Sequence, residues 1–135
     1  MTVKCIKNEL KDIVAEEVRS RLGQSIHLDG PMNDLFIGCE YVVQALERWK
    51  DGGLWLYLHT APESSYPYPY PAEMFEFVDN TLPAGWSIRL QTDRGNVICK
   101  LITFSAWADD EHFYEKLVDG DAEIASVYGQ KMMSL

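Results

Sequence analysis

Catalytic and metal-binding spacings are what this sequence lacks first. No C-x-x-C, H-x-H, H-E-x-x-H or G-x-S-x-G occurs in its 135 residues. His27, His59 and His112 stand apart from one another, so no metal ligand set and no cofactor is expected. Cysteine is scarce and odd in number. Cys5, Cys39 and Cys99 are widely spaced, which excludes a disulfide framework and predicts buried, reduced thiols. The paired glycines of "KDGGLW" precede a strand-like run instead of opening a helix, so they form a turn and not a phosphate cradle. No stretch approaches the ~18 consecutive apolar residues of a membrane span. The N-terminal "MTVKCIKNELKDIV" has neither the apolar run nor the small-residue cleavage site of a secretory signal. A cytoplasmic protein is expected.

Positive charge is also in short supply. Twelve Lys and Arg face 21 Asp and Glu, for a net charge of −9. Such a surface repels a nucleic-acid backbone and attracts a basic protein. Hydrophobic residues make up 47% and charged residues 24%, the balance of a globular protein. A chain this long buries roughly two-thirds of its unfolded surface and needs no covalent staples. One domain spanning residues 1–135 is expected.

The patterning is mixed. Residues 8–22 read as an amphipathic helix, with Leu10, Ile13, Val14, Val18 and Leu22 on one stripe, Asn8 as N-cap and Gly23 as terminator. "SIHL" at 25–28 suits a short strand. Residues 34–50 carry the helical stripe Leu35, Cys39, Val42, Leu46 and Trp49. They also hold a β-branched cluster and Gly38, so strand is the competing reading; the four-turn stripe favours helix. "LWLYLHT" at 54–60 alternates as a strand, with Trp55, Tyr57 and His59 on one face. Residues 72–80 fit a short helix or a strand. Residues 86–104 read as a β-hairpin turning at "TDRGN", its return strand central. Helical spacing restarts at Asp109 or Asp110 with the stripe Phe113, Leu117 and Val118. Asp121 caps a second helix after Gly120. Strands in the middle and helices at both ends predict an α+β domain: an antiparallel sheet of about four strands, with helices from both chain ends packed on it.

Two stretches stand out. In "YPYPYP", residues 66–71, each proline fixes its own φ near −65° and drives the residue before it to extended backbone. Prolines 67, 69 and 71 never form P-x-x-P, so an SH3-type ligand is excluded. As a strand, the segment places Tyr66, Tyr68 and Tyr70 on one face and makes a self-terminating sheet edge; as a polyproline helix it fans them out over three sides. From Asp109 to Glu123, seven acids and one lysine carry a formal −6 of the chain's −9. With Phe113, Leu117 and Val118 inward, Glu111, Glu115 and Asp119 share the outward face at a spacing that costs a few tenths of a kcal/mol per pair.

An acidic single domain without a catalytic motif is the expected form of a cytosolic inhibitor or immunity protein that neutralises a basic partner, such as a bacterial toxin. Asp109, Asp110, Glu111, Glu115 and Asp119 would meet its lysines and arginines, and Trp107, Tyr114, Tyr66, Tyr68 and Tyr70 would supply aromatic anchors. The alternative is a small-molecule-binding or enzymatic α+β domain with an aromatic-lined pocket at Trp55, Tyr57 and His59.

Overall fold

A computed structural model describes residues 1–27 and 29–135. Among them, seven strands form one antiparallel sheet: β1 (Thr2–Cys5), β2 (Glu40–Arg48), β3 (Leu54–Leu58), β4 (Tyr68–Pro71), β5 (Phe75–Asp79), β6 (Trp86–Asp93) and β7 (Asn96–Phe104). The strands run β4-β3-β2-β1-β5, with β7 also on β2 and β6 on β7. The described residues also form four α-helices, α1 (Glu16–Leu22), α2 (Ser105–Ala108), α3 (Phe113–Val118) and α4 (Ala122–Met133). The α+β class and antiparallel sheet agree with the sequence reading. The strand count exceeds the expected four, and the N-terminal end contributes one short helix.

β2 is the hub. Glu40–Val42 pair with β1, and Ala45–Glu47 lie between β3 and β7. This corrects the helix expected over 34–50. Gly38 takes φ of +89°, which a right-handed helix does not accommodate. Val42 and Val43 then suit extended backbone. On a strand, Cys39 and Val42 leave the supposed stripe and are exposed, while Val43 and Leu46 are buried.

The helix expected over 8–22 is also shorter. A 3-10 turn at Leu10–Asp12 and an extended Ile13–Ala15 precede α1. The Arg19 guanidinium takes the Ile13 carbonyl at 2.7 Å, and Ile13 faces the core while Val14 faces solvent. Asn8 does not cap; its side-chain amide donates to the Leu35 carbonyl. Residues 25–27 are not a strand, and Leu28 of that expected strand lies outside the described residues. The N-terminal β1 carried too little pattern to be read. Residues 72–80 resolve into a 3-10 turn (Ala72–Met74) followed by β5.

The hairpin forms as expected. Arg94 and Gly95 both have positive φ (49° and 82°), the backbone of a tight two-residue turn whose twist matches the strands. β7 is central only over Leu101–Thr103, where β2 flanks it; its outer half projects with β6. The helix stop at Gly120 and the Asp121 cap hold, with Asp121 Oδ1 accepting the Ile124 N–H at 3.1 Å.

The buried side chains form two clusters. Leu46, Leu56 and Leu58 pack with Ile13, Leu22, Ile26 and Leu35 of the N-terminal segment. Ala45, Tyr57 and Leu101 pack with Trp107, Phe113, Leu117 and Tyr128 of the C-terminal helices. Burying a side chain such as Phe113 stabilises by about 2–3 kcal/mol, enough to hold the short α3 against the sheet. A register shift between Val43 and Ala45 makes Gln44 an extra residue in β2. Its buried amide oxygen accepts the Tyr128 hydroxyl of α4, and its carbonyl accepts Thr103 Oγ at 2.7 Å.

Candidate partner-binding surface

α3 is held by its inner face, which leaves its outer face free to carry charge. Phe113 and Leu117 are buried, and Phe113 stacks on Trp107 with ring centroids 5.5 Å apart. Glu111 precedes the helix, Glu115 lies within it and Asp119 follows it; all three are exposed. Val118 departs from the expected inward stripe. It is 41% exposed and shares the acidic side with Glu115 and Asp119, because i+3 and i+4 neighbours lie together on a helix.

The one lysine in this stretch is used locally. Lys116 Nζ pairs with Asp110 Oδ2 at 2.9 Å, and Asp110 Oδ1 accepts the His112 backbone N–H. The Lys116 hydrogen bond, followed by that N–H, holds the Asp110 carboxyl below its ordinary range. Asp110 is therefore the least available of the expected contact acids. Among the described residues, Asp109, Glu111, Glu115, Asp119 and Glu123 have no lysine or arginine partner. His112 lies 3.3 Å from Glu111 and 3.5 Å from Glu115, and adds positive charge only when protonated.

The tertiary fold brings the tyrosine–proline segment to this helix. Tyr114 donates its hydroxyl to the Pro67 carbonyl at 2.7 Å, across 47 residues of sequence. Tyr66 meets Tyr114 edge-on at 6.3 Å and Tyr68 edge-on at 5.3 Å. Tyr66, Tyr68 and Tyr114 are all half-buried, so each presents an edge while its body is braced. Among the described residues β4 pairs with β3 alone, the sheet edge that its prolines dictate.

Two expected anchors are corrected. Trp107 is 3% exposed and stacks on Phe113 and Tyr114 inside the core. Tyr70 is 5% exposed, its hydroxyl meeting Thr60 Oγ at 2.8 Å and the Asn33 carbonyl at 3.3 Å. Neither presents a surface for a partner, because each ring completes a core that the sequence could not show.

The expected pocket at Trp55, Tyr57 and His59 does not assemble. Trp55 stacks on Trp49 with centroids 3.8 Å apart and belongs to the N-terminal core. Tyr57 lies in the other core, edge-on to Trp107 and Tyr114. Its hydroxyl donates to Glu47 at 2.8 Å; burial, then the Glu47 carboxylate, raises its pKa. His59 is exposed and its Nε2 donates to the Ser64 carbonyl at 2.7 Å. The cysteine expectation needs a correction too: Cys5 is buried, but Cys39 and Cys99 are exposed. Among the described residues, no group of three or more His, Cys, Asp or Glu side chains is placed to hold a metal ion, and no helix is long and apolar enough to cross a membrane.

No known protein family matches this chain, and comparisons with curated proteins and with solved structures give no match. The chain is a single small α+β domain with an antiparallel sheet.

Proposed function

We propose that this protein binds a basic protein partner through the face formed by α3 and the tyrosine edge, as an inhibitor or immunity protein would bind a toxin. One observation carries the reading. The Tyr114–Pro67 hydrogen bond joins an uncompensated row of acids to a rigid row of half-buried tyrosines. Charge draws a cationic partner in and accelerates encounter. Braced aromatic edges then add affinity with little side-chain entropy to lose. Glu111, Glu115 and Asp119 meet the partner's lysines or arginines, Val118 adds an apolar contact, and Tyr66, Tyr68 and Tyr114 form the aromatic border.

The test is binding to the product of the neighbouring gene, with wild type beside a Glu111→Lys/Glu115→Lys/Asp119→Lys variant. A complex whose association rate falls with added salt, and which the triple variant does not form, supports the reading. A neighbouring product that is neither a toxin nor bound, or a complex indifferent to the three reversals, refutes it.

A further inference from the structure

Two of the three cysteines meet across a strand pair. Val3 lies opposite Tyr41, and Lys4 opposite Glu40. One step further along this ladder, the Cys5 N–H donates to the Cys39 carbonyl at 2.9 Å, and the Gly38 N–H donates to the Cys5 carbonyl at 2.8 Å. Gly38, at φ of +89°, takes up the irregularity as the glycine of a bulge does. Cys39, just before β2, therefore keeps the pleat of that strand. Cys5 is two residues from Val3 and Cys39 two from Tyr41, so all four side chains share one face of the sheet. Cross-strand neighbours joined by such a bond have Cα atoms about 5.5 Å apart, inside the roughly 4.4–6.8 Å that a disulfide spans. Burial raises the pKa of the Cys5 thiol, and the Cys39 thiol adds to that rise. Burial also raises that of the Tyr41 hydroxyl, and both thiols add to it.

The two thiols differ in access. Cys39 is exposed, whereas Cys5 is fully buried and its Sγ donates to the Lys7 carbonyl at 3.3 Å. A dissolved oxidant reaches the first and not the second. Cys99 is also exposed, but it pairs with Leu90 across the hairpin and has no thiol opposite it.

We propose that Cys5 and Cys39 are a peroxide-sensitive thiol pair whose disulfide staples the N-terminal segment to the sheet. The Cys39 thiolate attacks one peroxide oxygen, the O–O bond breaks, hydroxide leaves and a sulfenic acid forms. The Cys5 sulfur, giving up its proton, then attacks the Cys39 sulfur. The S–O bond breaks, and the departing hydroxide takes a proton to become water. In total the two thiols lose two electrons and two protons, and one peroxide becomes two waters. The bond closes the chain between residues 5 and 39. Within that loop lie Ile13, Leu22, Ile26 and Leu35, which pack in one cluster with Leu46, Leu56 and Leu58. A thiol reductant reverses the bond, the behaviour of a redox-sensing disulfide and not of a permanent framework.

The test is non-reducing peptide mapping of the full chain after hydrogen peroxide, beside a reduced sample. A peptide pair joined through Cys5 and Cys39 is expected, lighter by two hydrogens than its parts and released by dithiothreitol. Closing a loop of about 35 residues should raise Tm by about 10 °C over the reduced form. In Cys5→Ser, dimedone should trap the Cys39 sulfenic acid, because no thiol consumes it. In Cys39→Ser, peroxide should leave Cys5 a thiol, and Cys99→Ser should leave the cross-link intact. Wild-type oxidation that ends at a Cys39 sulfinic acid, with Cys5 still a thiol, overturns the proposal without recourse to any variant. So does a cross-link through Cys99 or between two chains, or an oxidised form that melts no higher than the reduced one.

Discussion

Tyr128→Phe removes one hydroxyl and so isolates what fastens α4 to the sheet. Tyr128 is 5% and Gln44 6% exposed, and the hydroxyl donates to the Gln44 amide oxygen. The ring stays packed in the variant, so the apolar contacts are conserved and no cavity larger than a hydroxyl opens. What changes is that a buried carbonyl oxygen loses this donor, at a cost of about 1–3 kcal/mol. Against a total stability of about 5–15 kcal/mol, that is a large fraction. For a chain of this size each kcal/mol moves Tm by roughly 3–5 °C. The assay is urea unfolding, with a lower midpoint and an unchanged m-value. The companion variant Gln44→Met/Tyr128→Phe leaves an apolar pair of similar volume. It should recover most of the loss, because removing both partners of a buried hydrogen bond is nearly neutral. Simple addition of the two single effects, or a Tyr128→Phe cost below about 0.5 kcal/mol, refutes the claim that Gln44 depends on this donor.

The tyrosine edge should divide by burial. Tyr66→Ser/Tyr68→Ser is expected to keep the fold and weaken partner binding, whereas Tyr70→Ser should destabilise it by about 3 kcal/mol or more through lost core packing; thermal melts separate the two. Burial is the largest cause raising the pKa values of Tyr57, Tyr114 and Tyr128. Above about pH 10 the unfolded chain loses these protons while the native state keeps them, so stability present below that pH falls as pH rises. The three should ionise only with unfolding, and tyrosinate absorbance that runs ahead of the loss of circular dichroism would contradict it. Asp110 titrates the opposite way: its lowered pKa gives a stability that is present above the ordinary carboxylate range and is lost as pH falls through the folded value. Lys116→Ala should therefore flatten the acid limb of the stability curve, read by urea midpoints at successive pH values.

Features set by local chemistry were legible in the sequence. Alternation in residues 54–60 and 86–104 needed only the two-residue period of a strand. The Gly120 stop and the Asp121 cap are backbone and hydrogen-bond rules acting within four residues. The prolines at 67, 69 and 71 forced an extended edge whatever lay beside it. Helical spacing places Phe113 and Leu117 inward and Glu115 outward, but Glu111 and Asp119 flank the six-residue α3, and Val118 joins the outward side. The apolar spacing of residues 34–50 fits a helix as well as a strand, and long-range pairing with β1, β3 and β7 decides for the strand.

By itself, then, the sequence determined the acidic balance, the hairpin, the C-terminal helices and the stiffness of residues 66–71, because each depends on residues close together along the chain. Only the tertiary structure decided which aromatic rings are core. Tyr70 and Tyr68 belong to the same repeat, yet Tyr70 is buried against Phe75 and Tyr68 is half-exposed. It alone set the acidic helix beside the tyrosine edge, through a hydrogen bond between residues 47 positions apart. Burial and long-range contact depend on what the rest of the chain packs against each residue, and local pattern carries no record of that.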